Sequence, residues 1–212
     1  MDISNSGELL ATASKARDET AARVRIWDTR TFTCISELSG HQNTCVSLSF
    51  SPDSQLLAST GRDRQLCIFG IADNSWQLLL CVQKAHKRII WGCSWSQDGQ
   101  FLATGSRDGE IKIWKISIAV RSCECVCSFA HGEVPVTAVS FLHDLNRREH
   151  ILAVGFESGD VRVYSLVPDA TGSRLVHQQS HEVADRYAHG GLVKRVRWSP
   201  VSDGNAYKLA SV

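Results

Sequence analysis

Three residues near the middle of the chain have side chains of the kind that acyl-transfer enzymes use for nucleophilic catalysis. His86 could act as a general base, Thr104 could supply a hydroxyl nucleophile, and Asp108 could orient the imidazole. Trp114 adds an indole N–H donor to the same group. Spacing alone does not distinguish a catalytic set from a hydrogen-bond network, so the elements that carry these residues decide the interpretation.

A metal or nucleotide site would require other motifs. The sequence contains no GxSxG, HExxH, Walker or GxGxxG motif. Cys123, Cys125 and Cys127 form the only cysteine cluster, with His131 nearby. Alternate residues of a strand share one face, whereas structural zinc sites usually use C-x₂₋₄-C pairs. We therefore expect reduced thiols on a strand, and we predict no bound metal and no cofactor.

A group of mostly basic residues forms a candidate partner-binding rim. Its members are Arg62, Arg64, Lys87, Arg88, Trp91 and Arg107. On a chain of net charge +1, such a local cluster would attract acidic protein segments or an RNA backbone. Phosphate contacts alone would make RNA binding salt-dependent and unspecific. The alternative is that the cations only solvate the surface and that Trp91 is buried between neighbouring sheets.

A repeated phrase indicates how these residues are positioned. In each complete copy two apolar residues precede a small residue, and a polar turn then leads to a second strand that ends in an aromatic residue. The phrases begin at Leu9, Leu56, Phe101 and Ile151, a fifth begins at Lys208, and the aromatic residues are Trp27, Phe69, Trp114 and Tyr164. Alternation with period two predicts half-buried strands. The predicted fold class is therefore all-β.

The length of the repeat predicts the architecture. His41, His86, His131 and His189 precede alternating strands at steps of 45, 45 and 58 residues. A period of about 40–45 residues with Gly-His and Trp-Asp punctuation is typical of WD40 β-propellers, in which four-stranded blades stack around an axis. We expect units at about 1–40, 41–85, 86–130, 131–188 and a truncated 189–212.

The unit count predicts an incomplete propeller of about four to five blades. Residues 3–7 resemble the turn that follows a first strand missing from the chain. The alternative is a closed four-bladed ring, in which the strand at 193–198 pairs with the opening strands.

The repeat also favours a structural role for the His86 network. In WD40 blades the turn Asp accepts a hydrogen bond from His, and a strand hydroxyl bonds both the His and the Trp indole, so that buried polar groups are paired. Other units keep only part of the set: Phe69 has no N–H to donate, and Val154 and Ser158 replace the hydroxyl and the carboxylate. A catalytic set would not be expected in partial copies, so we predict no enzymatic activity.

Composition excludes several classes of protein. Hydrophobic residues make up 43% and charged residues 21%, which is an ordinary globular balance. No apolar run approaches the roughly 20 residues of a membrane span, and the first residues do not resemble a signal peptide. The eight cysteines lie mostly in apolar runs, which indicates a reducing, intracellular compartment.

Two long segments, Lys15–Ala22 and Pro168–Gly190, are expected to be loops with a potential for contacts.

Several stretches resemble the family of second subunits of the Elongator complex. The resemblance is carried by residues 86–96 with Thr104-Gly105-Ser106-Arg107-Asp108, by the 15–22 insertion before Val24-Arg25-Ile26-Trp27-Asp28, by residues 153–159, and by residues 193–198 after the His-containing loop. It covers nearly the whole chain in order. The Ile89-Ile90-Trp91 phrase is fairly specific, whereas the other pieces would fit many WD40 proteins.

That resemblance implies two tandem seven-bladed propellers, of which this chain is the C-terminal part of the second. It implies a non-catalytic subunit that links the largest Elongator subunit to the radical-SAM and acetyltransferase-like subunit, which modifies wobble uridines of tRNA. Contact with tRNA would be indirect, and the location would be the cytoplasm and the nucleus. The first propeller is absent from this chain, so a partner site between the two propellers would be missing.

Two other functions are consistent with the repeat. A generic WD40 adaptor, such as a ubiquitin-ligase substrate receptor, would need a degron pocket ringed by Arg or Lys. An enzyme on a propeller scaffold would need a metal or acid–base cluster at the central channel, and the sequence offers none.

Overall fold

The computed structural model describes residues 1–15, 22–142, 149–170, 175–182, 189–199 and 207–212. All regular secondary structure in these residues is β-strand, which confirms the all-β prediction. Most of the Lys15–Ala22 segment lies outside the described residues, as do parts of Pro168–Gly190. Within the described ranges, no helix is long and apolar enough to cross a membrane.

The strands form five antiparallel sheets, each made of consecutive strands. The first sheet contains β1 (Asp2–Ile3), β2 (Leu9–Ala13), β3 (Arg23–Asp28) and β4 (Cys34–Ser39). The second contains β5 (Cys45–Phe50), β6 (Leu56–Gly61), β7 (Leu66–Ala72) and β8 (Ser75–Val82). The third contains β9 (Ile90–Trp95), β10 (Phe101–Ser106), β11 (Glu110–Ser117) and β12 (Ser122–Ala130). The fourth contains β13 (Val136–Phe141), β14 (His150–Phe156), β15 (Val161–Pro168) and β16 (Leu175–Glu182), and the fifth contains β17 (Val196–Trp198) and β18 (Leu209–Ser211).

A buried serine fixes the turn between the first two strands in three of the sheets. These serines are Ser4, Ser51 and Ser96. In the third sheet the amide of Phe101 donates to Ser96 Oγ over 3.0 Å, and Ser96 Oγ donates to the Asp98 carboxylate over 2.5 Å. Gly99 has a φ of 70° in this turn, which a residue without a Cβ adopts at little cost. The turn sets the register of β9 against β10 and so positions the next hairpin.

Stacking of neighbouring sheets creates the core. Four apolar clusters are found in the described residues, and each fills the space between two successive sheets. Burial of one large apolar side chain contributes about 1.5–3 kcal/mol, so each layer is a substantial source of stability. Indole N–H groups link the layers as well: Trp95 donates to Ser49 O and Trp198 donates to Ser140 O, both over 3.0 Å.

The first strands of the sheets lie side by side around a common axis. The amide of Phe50 donates to Asp2 Oδ2 over 2.8 Å, and the amide of Phe141 donates to Ser94 Oγ over 3.0 Å. In the described part of the chain the sheets do not close into a complete ring, which confirms the predicted incomplete propeller. The four-bladed alternative is wrong, because β17 pairs with β18 and not with the opening strands.

Two local expectations also need correction. The segment predicted at residues 3–7 does not follow a missing strand: Asp2 and Ile3 pair with Ala11 and Leu10 as a short first strand, and only residues 4–7 lie in the turn after it. Leu175–Glu182 is not loop but the outermost strand of the fourth sheet, paired with β15. Both strands are hard to recognise in sequence because one is very short and the other is mostly polar.

Candidate partner-binding face

The turns between β6 and β7 and between β10 and β11 lie at the same end of the second and third sheets. In the third sheet this end is held by the His86 network. His86 Nε2 lies 2.8 Å from Thr104 Oγ1, and His86 Nδ1 lies 3.2 Å from Asp108 Oδ2. The indole of Trp114 donates to Thr104 Oγ1 over 2.8 Å. The chain of contacts thus runs from the turn, through the imidazole, to the third strand of the sheet.

The carboxylate of Asp108 is stabilised in its charged form. Burial alone would raise the pKa of Asp108, but hydrogen bonds from His86 and from the amides of Glu110 and Lys87 outweigh burial and hold this pKa far below its usual range. His86 is 2% exposed and Thr104 is fully buried, so a substrate in solvent cannot reach the hydroxyl. The geometry therefore suits a structural clamp.

The second sheet contains a shorter form of the same network. His41 Nε2 lies 2.7 Å from Ser59 Oγ, and His41 Nδ1 lies 2.9 Å from Asp63 Oδ2. Burial opposes ionisation of Asp63, yet hydrogen bonds from His41 and from nearby amides lower its pKa overall. Phe69 occupies the aromatic position and has no N–H to donate. The second sheet therefore lacks only the hydrogen bond that an indole N–H would donate at the aromatic position.

One group of potential metal ligands lies at this turn. Among the described residues, single donor atoms of His86, Asp108 and Glu110 lie within 4.8 Å of one another. Asp108 already accepts from the imidazole, while Glu110 pairs with Lys87 at 3.2 Å and with Lys112 at 3.4 Å. A cation would have to displace two ammonium groups from Glu110 and break the hydrogen bond between His86 and Asp108, so the donor set fits the internal network better than a metal.

Five basic residues of the predicted rim lie around one connecting segment. The amide of Ala85 donates to Arg64 O, and the amide of Arg107 donates to Ile89 O, both over 2.9 Å. These bonds hold the 85–89 segment, which carries Lys87 and Arg88, between the two turns. Arg62, Arg64, Arg88 and Arg107 are exposed, and in the part of the chain that the structure describes none of them has an ion-pair partner. A cationic surface on an otherwise neutral chain follows from this arrangement.

Trp91, the sixth residue of the predicted rim, lines a cavity that none of these cations lines. Trp91 is half-buried and lines a cavity of about 300 Å³ around the axis of the sheets. Arg197 of β17 lines the same cavity, as do Lys194 and Arg195 just before this strand, and Glu157 is a further lining residue. Sequence reasoning missed these residues as a group. The available signal was a cation at two alternate positions, Arg195 and Arg197, which share a strand face.

The comparisons with known proteins agree with the observed sheets. The model of the family described as WD domain, G-beta repeat matches residues 32–69 and 78–115. The β-propeller domain of Cps50 (Swd1) from Myceliophteria thermophila has a similar fold, with a TM-score of 0.65 at 17% identity over 92% of this chain and 57% of that chain. At this level of identity the likeness shows the fold alone.

Sequence relatives give more detail. The chain is 32% identical over 202 residues to Elongator complex protein 2 of Schizosaccharomyces pombe, covering 93% of this chain and 26% of that protein. It is 36% identical over 220 residues to Elongator complex protein 2 of Drosophila melanogaster, covering 97% of this chain and 26% of that protein. The chain thus spans about a quarter of the length of these relatives. Two segments of the chain match the WD40 repeat, its sheets have the fold of an incomplete β-propeller, and its sequence is similar over nearly its whole length to part of Elongator complex protein 2.

Proposed function

We propose that the chain is part of a non-catalytic scaffold subunit of the Elongator complex, which supports tRNA wobble-uridine modification through protein–protein contacts. The observation that carries the proposal is the similarity to Elongator complex protein 2 over more than nine-tenths of the chain in relatives from fission yeast, a plant and a fly. The proposed partners are the largest Elongator subunit and the radical-SAM and acetyltransferase-like catalytic subunit. Contact with tRNA is indirect, and the location is the cytoplasm and the nucleus.

The geometry of the third sheet supports a scaffold rather than an enzyme. The groups that could perform acid–base chemistry are buried and bonded to one another. Charge without an ion-pair partner among the described residues is instead presented at the surface, on Arg62, Arg88 and Arg107. Exposed guanidinium groups form bidentate bonds with carboxylates, which suits an acidic segment of a protein partner.

Affinity purification of the full-length protein from its own cells, with mass spectrometry of the co-purifying proteins, tests the proposal. We expect the largest subunit and the catalytic subunit to be recovered. Recovery of ubiquitin-ligase components in their place would contradict the Elongator role and favour the generic adaptor.

Matched variants test whether the cationic surface takes part. Arg62→Glu combined with Arg107→Glu reverses two charges at this face, and we expect recovery of the partners to fall at least about tenfold because opposed like charges cost several kcal/mol. Arg121→Glu is the control, because Arg121 is exposed in the β11–β12 turn at the opposite end of the third sheet. Equal recovery with all variants would show that the partners bind elsewhere.

A further inference from the structure

The second sheet carries a pair of thiols that the proposed scaffold function does not use. β7 and β8 are joined by Asp73 and Asn74, whose φ values of 49° and 59° are typical of a two-residue hairpin turn. A β-bulge opposite Ile68 and Phe69 then shifts the register by one residue and places Cys67 directly opposite Cys81, with their sulfur atoms 3.5 Å apart. We propose that Cys67 and Cys81 form a reversible oxidative modification site, in which a peroxide converts the two thiols into a disulfide between β7 and β8.

The backbone already has the separation that a disulfide needs. Directly opposed residues of an antiparallel pair have Cα atoms about 4.5–5.5 Å apart. Disulfides join Cα atoms separated by about 4.4–6.8 Å, with a sulfur–sulfur bond of about 2.05 Å. The sulfurs of Cys67 and Cys81 therefore need to approach by rotation of side chains, and the strands can stay in register.

The surroundings of the two sulfurs give them different roles. Cys81 is exposed, whereas Cys67 is fully buried beside Phe69 between the first and second sheets. The S–H of Cys67 donates to Cys81 Sγ, and this hydrogen bond lowers the pKa of Cys81 to about 7 while it raises the pKa of Cys67. The thiolate is the reactive form of cysteine. Cys81 is therefore the attacking sulfur, and Cys67 is the resolving one.

The reaction balances with hydrogen peroxide as the oxidant. The Cys81 thiolate attacks one peroxide oxygen, the O–O bond breaks, hydroxide leaves, and Cys81 becomes a sulfenic acid. The Cys67 sulfur then attacks the sulfenic sulfur, the S–O bond breaks, and the Cys67 proton leaves with the hydroxyl group as water. Two thiols lose two electrons and the peroxide gains them. A dithiol reductant reverses the change by thiol–disulfide exchange.

Burial opposes this chemistry at most of the other cysteines. Burial raises the pKa of Cys45 and Cys123 to about 12 and that of Cys93 to about 11, which keeps these thiols protonated. Cys34 is exposed, and its S–H contacts the backbone oxygen of Ser36 at 3.4 Å. Among the described cysteines, only Cys81 combines exposure to solvent with a hydrogen bond to a second cysteine sulfur.

Peptide mapping of the native full chain tests the proposal directly. Trypsin cleaves after Arg64 and Lys84, so residues 65–84 form one peptide that contains both cysteines. After exposure to hydrogen peroxide and alkylation of the remaining thiols, we expect this peptide to carry no alkyl group and to have lost two hydrogen atoms. Dithiothreitol before alkylation should restore two alkyl groups.

Two variants distinguish a disulfide between Cys67 and Cys81 from unselective oxidation of thiols. In Cys81→Ala, which changes an exposed side chain, Cys67 should stay alkylatable under the same exposure. In Cys34→Ala, which removes an exposed thiol of the first sheet, the disulfide in 65–84 should form as before. The proposal is overturned if the wild-type peptide keeps two alkylatable thiols while Cys34 is oxidised, or if Cys67 is lost equally fast in Cys81→Ala.

Discussion

The third and fourth sheets occupy equivalent places in the repeat, but different forces link their strands. In the third sheet a continuous polar chain joins the turn at Asp108 to the indole of Trp114. In the fourth sheet Val154 and Ser158 stand at the corresponding positions of the hydroxyl and the carboxylate. His131 contacts the edge of Phe156 at 5.7 Å between ring centres, and Phe129 and His177 lie against Tyr164.

This difference shows two ways of stabilising a four-stranded sheet of this repeat: a buried hydrogen-bond network and apolar contacts. The fourth sheet shares with the third a large apolar layer that includes Phe141, Phe156 and Tyr164. Apolar contacts are insensitive to protonation, whereas the network depends on ionised Asp108. The two sheets should therefore respond differently to substitution of their turn residues and to acid.

Removal of the Asp108 carboxylate should give the largest difference in unfolding free energy between the third and fourth sheets. Asp108→Ala leaves the imidazole N–H of His86 and two backbone amides without their acceptor, so we expect the free energy of unfolding to fall by about 3 kcal/mol. Ser158→Ala changes the equivalent exposed residue of the fourth sheet and should cost less than about 0.5 kcal/mol. Urea denaturation of the full chain measures both, and equal losses would show that the network does not contribute more than the apolar sheet.

Acid should weaken the second and third sheets first, because they contain the hydrogen-bond networks of Asp63 and Asp108. The pKa values of Asp63 and Asp108 are lowered in the folded state, where hydrogen bonds from His41 and His86 outweigh the effect of burial. An unfolded Asp has a pKa of about 3.9, so the contribution of Asp63 and Asp108 to stability is fully present above that pH and is lost as the pH falls through their lower folded values. Unfolding measured from pH 6 to pH 2 should show a decline below about pH 4 that is smaller in Asp108→Asn. A decline of the same slope in that variant would assign the effect to other carboxylates.

Whether a contact can be predicted from the sequence depends on whether its residues belong to one repeat or to several sheets. The residues of the His86 network could be predicted because the repeat fixes each of them relative to its own strand. The joint position of Trp91, Lys194 and Arg197 around the cavity could not, because it depends on how five sheets stack around the axis. The sequence predicts a loop where the structure has the strand Leu175–Glu182, because an outermost strand buries little: Val176 is 50% exposed and His177 is also exposed. Alternating burial, the signal that reveals inner strands, is weak at this edge.

The smallest expected change in the free energy of unfolding is at the aromatic position. Its sign is expected to differ between Trp114 of the third sheet and Tyr164 of the fourth. Trp114→Phe removes the donor to Thr104 Oγ1 and should cost about 1 kcal/mol of unfolding free energy, beyond the loss of ring area. The hydroxyl of Tyr164 is buried and has no hydrogen-bond partner among the described residues. Tyr164→Phe removes this unsatisfied group, so stability should stay the same or rise by up to about 1 kcal/mol. Denaturation of both variants under one condition is the measurement. A loss in Tyr164→Phe as large as that in Trp114→Phe would mean that the tyrosine hydroxyl has a partner, and that the fourth sheet retains a polar link after all.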